Sequence, residues 1–475
     1  MPRDLLGKIQ RGLRKPPRYI LSRLFHEAIS KTEVIRGPRR ARALTDQKLT
    51  RFAGVTTLEE LWEKLASRPY VAEPFEKIDA DAYETMCPGD TQRILDAAAR
   101  ALAHRVELMG SGDVDLGEII DWHRDYKVGQ NWPPTYWSSI DYNNPDRPSD
   151  VKFPWELSRV QWLIPCGQAY ALTGDESYAE CARNVLDHWI DENPYASSIN
   201  WACTMEVALR ILTWSCLFHF FKRSDAWSSR EFRGKFLRSL YLHADFTRRH
   251  LEKSDINGNH YTADAAGLVF AAAFFGAMGD AETWGKLGWT ILLEELPLQV
   301  FPDGVDFEAS VPYHRLVQEL FLLPALYRTR IGESVPQTYL DRLEGMARFT
   351  ASYSRDDGST PYWGDADDAR SLPFGFQGLN DHRYLLALSA ALLENDALRK
   401  SFSGSRTEAA WLLGLDATSN LPDEASSELK LSKAFRDGGF FVPQGLIGGQ
   451  KLATLLNILT LDEQGTGRFE NLRVP

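Results

Sequence analysis

The chain has 475 residues, 44% of them hydrophobic and 25% charged, which is typical of a soluble globular protein. Its formal net charge of −11 excludes a general affinity for polyanions, so we expect no nucleic-acid partner. The five cysteines show no CxxC or Cys/His spacing, so the sequence predicts free buried thiols, no metal site and no cofactor.

The first fifty residues differ in charge from the rest. They carry 13 Lys and Arg against 4 Asp and Glu, so the remainder of the chain carries −20. This N-terminal segment does not resemble a signal peptide, because its apolar stretches are short and interrupted by charge and no small-residue cleavage site follows them. We interpret residues 1–50 as a basic arm that packs against the body, with contact to a membrane surface as the alternative. In the absence of an export signal, the cytoplasm is the default location.

Helical periodicity dominates the chain after this arm. Helices are predicted near Leu58–Leu65 and Thr91–Leu102, and an aromatic loop between Gly110 and Asp150 has the composition of a functional segment. Further helices are predicted at 155–172, 176–192, 203–221, 230–251, 260–277, 281–299, 307–329, 336–353 and 381–398. Helix hairpins without strands predict an all-α bundle, solenoid or toroid over residues 51–425.

Two segments carry the candidate chemistry, DINGNHY at 255–261 and DFEASVPYHR at 306–315. Asn259 could donate to a carboxylate with His260 as a second donor or as a base, and a helix start would favour an anion there. Tyr313 could move a proton from the carbon next to that carboxylate. The alternatives are a turn with a helix cap for the first segment and an ordinary helix-start Tyr for the second.

Together with other segments, these residues resemble the heparinase II/III and alginate-lyase group of polysaccharide lyases. The resemblance runs from about Trp122 to Val442 and includes DVKFPWELSR at 150–159, LTGD at 172–175, NWACTME at 200–206, FPDG at 301–304 and WGDADD at 363–368. It implies an incomplete (α/α) toroid around a cleft. It also implies β-elimination on a uronate-containing, glycosaminoglycan-like polysaccharide, with Asn259, His260 and Tyr313 as catalytic residues. The family's work on exported polysaccharides makes the periplasm or cell envelope the alternative location.

A second set of residues could surround the substrate. Glu206 and Arg210 share a helix face, so they predict either a simple ion pair or an arginine held toward the substrate carboxylate. Arg210 or His260 is also the predicted cation beside a Tyr313 phenolate. Trp201 could stack on a sugar ring or pack in the core.

The remaining predicted substrate-binding residues are His314 and Arg315, which adjoin Tyr313, together with Glu308 and Asp365. Acidic clusters at 306–308 and 365–368 leave alternatives open. Glu308 with Asp365 or Asp367 could be the acid and base of an α/α-barrel glycoside hydrolase, or the clusters could bind calcium. A structural or cleft-lining role is favoured.

The character of the chain changes at Phe435–Val442, where a Gly turn precedes a β-type run. In the family this looks like the first strand of a β-sandwich that follows the toroid and supplies a further catalytic His or Tyr. Only 33 residues follow Val442, so residues 426–475 are predicted to be a shortened start of that domain, with a strand that lacks a sheet partner and an irregular tail. Impaired turnover and a non-catalytic glycan-binding toroid therefore remain alternatives.

Overall fold

The computed structural model describes residues 32–72, 78–144, 146–426, 429, 433–442, 444–447, 450–453 and 456–457. Residues 32–42 are helical. The helices that follow are α1 Asp46–Ala53, α2 Leu58–Ala66, α3 Ala80–Met86, α4 Asp90–Leu102, α5 Lys152–Ser158, α6 Ile164–Thr173, α7 Glu176–Glu192, α8 Thr204–Phe221, α9 Arg230–Arg249, α10 Asn259–Phe275, α11 Ala281–Gln299, α12 Val311–Arg330, α13 Gln337–Tyr353, α14 Tyr384–Leu393, α15 Asp396–Ser401, α16 Thr407–Leu413 and α17 Leu415–Ser419.

Most of the predicted helices are confirmed, and α7 and α11 have the predicted bounds. Two segments that were predicted to be single helices are each divided into two helices. The segment 155–172 is broken at Val160, whose left-handed φ of 52° ends α5 before a 3-10 turn leads into α6. The segment 381–398 is broken at Glu394, where a φ of 50° separates α14 from α15. A single left-handed residue is enough to redirect a helix because the backbone can no longer continue the i→i+4 hydrogen bonds.

The helices form an incomplete (α/α) toroid of hairpins, as predicted. Helix α10 contacts four other helices, α8, α9, α11 and α12. Every residue of α8 is buried, so this helix has no solvent face. Gly267 marks the crossing of α8 and α10, because a Cβ added there would lie 2.8 Å from the Cβ of Ala208. Tight packing at this crossing fixes the position of the first turn of α10.

The described part of the N-terminal arm packs against the toroid. Leu44 and Leu49 are buried in the main apolar core, and Arg40 pairs with Asp245 of α9 at 2.9 Å. Residues 1–31, on which the membrane-contact alternative depends, lie outside the described residues. Among the helices that the structure describes, none combines the length and apolarity needed to cross a bilayer. The domain boundaries at residues 50 and 425 stay predictions.

Short antiparallel strands occupy two places. Two-stranded ribbons join β1 Arg105–Val106 to β2 Val114–Asp115, and β3 Arg124–Asp125 to β4 Gln130–Asn131. Near the C-terminus, β5 Lys433–Phe435, β6 Phe440–Val442 and β9 Leu456–Asn457 form one sheet, while β7 Gln444–Ile447 pairs with β8 Gln450–Ala453.

The strand predicted within 435–442 is confirmed, but the prediction that it lacks a sheet partner is wrong. Strand β6 pairs with β5 on one side and with β9 on the other. Asp303 accepts hydrogen bonds from the backbone of Asp437 and Gly438, and Phe435 and Phe440 are buried against Phe349 of the toroid. The toroid therefore anchors the hairpin. An irregular tail was predicted for residues 443–475, and this is wrong for the described residues between 444 and 457, which form β7, β8 and β9. Residues 458–475 lie outside the described residues.

The turn at Gly304 gives a stability prediction. Gly304 has a φ of 92°, and a Cβ added there would lie 2.0 Å from the carbonyl carbon of Gly345. We expect Gly304→Ala to lower the free energy of unfolding by at least about 2 kcal/mol, because strain and a backbone clash add together. Chemical denaturation measures the change. Gly378→Ala is the matched control, since Gly378 has open space around it and should shift stability by no more than about 0.5 kcal/mol. Equal effects of the two substitutions would contradict this reading of the turn.

Candidate active site

Asn259 is the first residue of α10, and Glu308 holds its side chain. The Asn259 backbone N–H and Nδ2 both donate to the Glu308 carboxylate at 3.0 Å. Gly258 permits this approach, because a Cβ there would lie 2.7 Å from the Glu308 Oε1. An anion already sits at the positive end of α10, where backbone N–H groups lack helical partners. The start of α10 therefore binds a carboxylate, and in the structure this carboxylate is that of Glu308.

His260 forms a dyad with Glu252 beside Asn259. The Nδ1 atom of His260 lies 2.5 Å from Glu252 Oε2 and 3.8 Å from the Cys203 sulfur. Burial lowers the pKa of His260, but hydrogen bonding and attraction to Glu252 outweigh this effect and raise the pKa above its usual value. With Nδ1 bound to a carboxylate, Nε2 is the nitrogen left for chemistry on this half-exposed ring.

Tyr313 lies in the first turn of α12, where Ser310 caps the helix by accepting from the Tyr313 N–H. Its hydroxyl lies 3.3 Å from Asp365 Oδ2 and 3.4 Å from Asp367 Oδ2. Burial and these two carboxylates raise the pKa of Tyr313, so the phenol keeps its proton. The prediction of a cation beside a Tyr313 phenolate is wrong, because the hydroxyl faces the carboxylates of Asp365 and Asp367. Lys152 lies beside this pair of carboxylates, with its Nζ 3.6 Å from Asp367 Oδ2.

Glu206 pairs with Arg159 rather than with Arg210. Both Glu206 oxygens accept from the Arg159 guanidinium at 2.7 Å, and a third group, Glu156, lies 2.5 Å from the same guanidinium. The predicted intrahelical pair with Arg210 is therefore wrong. Long-range packing places Arg159, the residue that follows α5, within reach of Glu206, and sequence separation alone could not reveal this contact.

Arg210 is fully buried and does not face a substrate. It donates to His243 Nε2 and to the Asn200 carbonyl, and its guanidinium lies over the rings of Trp189 and Trp201. Burial lowers the pKa of Arg210 to about 9, although Glu206 acts in the opposite direction. Its predicted contact with the substrate carboxylate is wrong.

Three other predicted substrate contacts also belong to the core. Trp201 is 2% exposed, with its ring 4.7 Å from that of His243, so it cannot stack on a sugar. His314 is buried against the Met346 carbonyl, and burial lowers its pKa to about 4. Arg315 donates to the carbonyls of Leu379 and Ala369, and so fixes the loop that carries Asp365 and Asp367. Adjacent helix residues point in different directions, which explains why the neighbours of Tyr313 turn inward.

Charge interactions connect the two halves of the site. The carboxylates of Glu206 and Glu308 help to raise the pKa of His260. The Asp367 carboxylate acts in the same direction on the pKa of Arg159 and of Glu156. Burial raises the pKa of Glu156 to about 7. Nearby carboxylates act in the same direction, and the Arg159 guanidinium opposes them. These interactions link the start of α10, through the buried Arg159 cluster, to the carboxylates beside Tyr313.

Lys152, Arg159 and Glu252 are functional candidates that the sequence interpretation did not assign. The first two lie in the segment DVKFPWELSR, which carried part of the family resemblance, so a closer reading of that segment could have found them. Glu252 lies eight residues before His260 in a loop that no periodic pattern marks. All five cysteines are free and buried, as predicted.

Arg159 gives a second stability prediction. We expect Arg159→Met to lower the free energy of unfolding by about 3 to 5 kcal/mol, because it leaves the buried carboxylates of Glu206 and Glu156 without their cation. Arg230→Met is the control, since both side chains of the Arg230–Glu59 pair are exposed and the pair should contribute less than about 1 kcal/mol. Denaturant unfolding of both variants measures the difference, and a similar small loss in each would show that the buried cluster is dispensable.

The sequence of this chain matches a known protein family. The family description "Heparinase II/III N-terminus" matches residues 62–375. A heparin-sulfate lyase from Pedobacter heparinus is 29% identical over 292 residues, which cover 59% of this chain and 40% of that protein. A heparin-sulfate lyase from Bacteroides stercoris is 29% identical over 278 residues, covering 53% of this chain and 37% of that protein. The chain thus spans about two fifths of the length of these relatives.

Solved structures support the same assignment. A heparan sulfate lyase mutant from Pedobacter heparinus shares 25% identity with a TM-score of 0.53, over 86% of this chain and 57% of that one. A crystal structure of heparinase III, at 18% identity, has a TM-score of 0.56 over 87% of this chain and 59% of that chain, and shows the shared fold. Since the family match covers more than half of the sequence, this chain belongs to the heparinase II/III family, as the sequence resemblance implied.

Proposed function

We propose that the chain is a polysaccharide lyase that cleaves a uronate-containing acidic glycan by β-elimination. The observation that carries the proposal is the His260–Glu252 dyad next to Asn259 at the start of α10. Elimination needs a group to neutralise the carboxylate, a base for the C5 proton and an acid for the leaving O4. The site offers one candidate for each role.

Asn259 is the proposed partner of the substrate carboxylate. Its amide is held by Glu308, and the start of α10 adds a positive field that favours an anion. Neutralising the carboxylate allows the negative charge that develops at C5 to delocalise into it. Glu308 acts here as a positioning residue for Asn259. Because both of its oxygens accept from that amide, it is a poor candidate for the acid of a glycoside hydrolase.

His260 is the proposed base and Tyr313 the proposed acid. Glu252 binds the His260 Nδ1 and leaves the Nε2 lone pair to take the C5 proton, while the protonated Tyr313 phenol donates to O4. The C5–H and C4–O4 bonds break, a C4–C5 double bond forms, and the leaving sugar departs with its O4 protonated. Proton exchange with solvent then restores both groups.

Lys152 gives the site a local positive charge on an otherwise acidic chain. Its side chain is 47% exposed and lies beside Asp367, so it can contact a carboxylate or sulfate of a neighbouring sugar. Local charge of this kind is what a polyanionic substrate requires from a protein of net charge −11.

Product analysis tests the proposal against its two alternatives. Incubation with heparan sulfate, alginate and hyaluronan should produce the ultraviolet absorbance of an unsaturated uronate with at least one of them. New reducing ends without that absorbance would support a glycoside hydrolase. Saturable glycan binding without any product would support a non-catalytic toroid, and either result would overturn the proposal.

A further inference from the structure

Three side chains of different chemistry meet beside Asn259. Cys203 precedes α8, Glu252 lies in the loop after α9, and His260 belongs to the first turn of α10. One ligand atom from each lies within 4.8 Å of the other two. The Cys203 sulfur is 3.8 Å from His260 Nδ1, and Glu252 Oε2 is 2.5 Å from the same nitrogen. The cluster thus draws on three separate elements of the toroid.

Thiolate, imidazole and carboxylate together are a ligand set for zinc. Zn²⁺ binds these groups at roughly 2.3, 2.0 and 2.1 Å in tetrahedral geometry, which places a sulfur and a nitrogen ligand roughly 3.5 Å apart. The distance between Cys203 and His260 is close to this value. The distance from Glu252 Oε2 to His260 Nδ1 would grow from 2.5 Å to roughly 3.3 Å once the ion replaces the proton that these two atoms share. A thiolate ligand argues against Ca²⁺ and Mg²⁺, which prefer oxygen.

The protein holds Glu252 in position without any ion. Glu252 Oε1 accepts from the Thr204 backbone N–H at 2.5 Å, and the Glu252 N–H donates to the buried Asp264 at 2.7 Å. The second oxygen therefore points toward His260. Cys203 is 1% exposed, whereas the His260 side chain is 51% exposed, so an ion can enter from the His260 side. Outer hydrogen bonds of this kind orient ligands in metal sites.

We propose that Cys203, Glu252 and His260 form a Zn²⁺ site. The ion joins the start of α8 to the start of α10 and takes the Nδ1 position of His260. Metal on Nδ1 puts the remaining imidazole proton on Nε2, so the metal-bound ring cannot accept the C5 proton. Zn²⁺ therefore switches off the proposed base. This consequence rests on the proposed lyase function, whereas the binding of the ion does not.

Cobalt spectroscopy tests the site directly. The tag-free full chain, reduced and stripped with a chelator, is titrated with Co²⁺ as a spectroscopic substitute for Zn²⁺. We expect about one equivalent to bind, with a thiolate-to-cobalt charge-transfer band and intense visible bands of a tetrahedral ion. Added Zn²⁺ should displace the Co²⁺ ion, so that the charge-transfer band and the visible bands disappear. Absence of the charge-transfer band in the wild-type protein would overturn the proposal, whatever the lyase assay shows.

Variants locate the site within the chain. Cys203→Ala should abolish the charge-transfer band, whereas Cys181→Ala should keep it. Cys181 is the informative control because its thiol contacts that of Cys166, another place where sulfur atoms meet. Loss of the band in Cys181→Ala with retention in Cys203→Ala would place the metal elsewhere and refute the site.

His260→Ala keeps the test decisive if the buried Cys203 variant fails to fold. The His260 side chain is half exposed, so its removal should leave the fold intact. We expect Co²⁺ affinity to fall at least tenfold, since even outer-shell changes cost metal sites about 10- to 100-fold. Unchanged affinity would refute the site. If the lyase is active, Zn²⁺ should also inhibit the wild type, and binding without inhibition would refute the consequence for His260 alone.

Discussion

We expect Tyr313→Phe to lower kcat on a uronate polymer by at least about 100-fold, because general acid and base groups contribute roughly 10² to 10⁴ to rate. Burial and the carboxylates of Asp365 and Asp367 raise the pKa of Tyr313, so the phenol holds the proton that O4 must receive. Phenylalanine keeps the ring and removes that proton. Initial rates followed by the absorbance of the unsaturated product measure the effect.

The control for Tyr313 is Tyr178→Phe, which removes the hydroxyl of a partly buried tyrosine on α7 and should leave kcat unchanged. Circular dichroism should show the same helical content in both variants. Full activity in Tyr313→Phe would mean that another group protonates O4, and the acid role would have to be reassigned.

The second large effect is expected for Asn259→Ala. Removing a hydrogen-bond donor that stabilises developing charge typically costs about 10² to 10³ in kcat, so a loss of at least about 100-fold is expected. The substitution also leaves Glu308 without its amide partner next to the substrate carboxylate, and this adds repulsion. Steady-state kinetics with the same polymer gives the value.

Asn420→Ala is the matched control for Asn259, because Asn420 is exposed and its amide donates to the Asp416 carbonyl. Its kinetics should equal those of the wild type. If Asn259→Ala retained normal turnover, carboxylate neutralisation by this amide would be refuted, and Lys152 would become the next candidate.

The helical architecture could be predicted because long periodic segments determine it. The bounds of α7 and α11 follow from apolar spacing and clear terminal signals, such as Asp175, whose side chain accepts from the Ser177 N–H. Breaks at Val160 and Glu394 could not be predicted, because a left-handed backbone at a non-glycine residue leaves no compositional mark. The pairing of β6 with β9 was missed for a related reason, since strand partners depend on contacts distant in sequence.

The candidate site was predictable only in part. Asn259, His260 and Tyr313 stand in segments that combine chemistry with a helix start, so they could be chosen from the sequence. Their partners could not be chosen in the same way. Glu206 binds Arg159, a residue 47 positions away, although Arg210 lies one helical turn from it.

Burial also could not be read from residue type. Trp201 and Arg315 are kinds of residue that bind glycans elsewhere, yet both are almost fully buried here. Spacing along a helix shows which residues share a face, but which face turns toward the cleft is decided by the packing of the whole ring.

The most direct test of the account compares two polymers that differ at one group. Heparan sulfate and the same polymer with its uronate carboxyl groups reduced to alcohols are incubated with the wild-type chain, and unsaturated product is measured. We expect product from the intact polymer and none from the reduced one, because Asn259 stabilises charge that only a carboxylate can carry. Equal cleavage of both polymers, or cleavage that yields only saturated ends, would contradict β-elimination at this site.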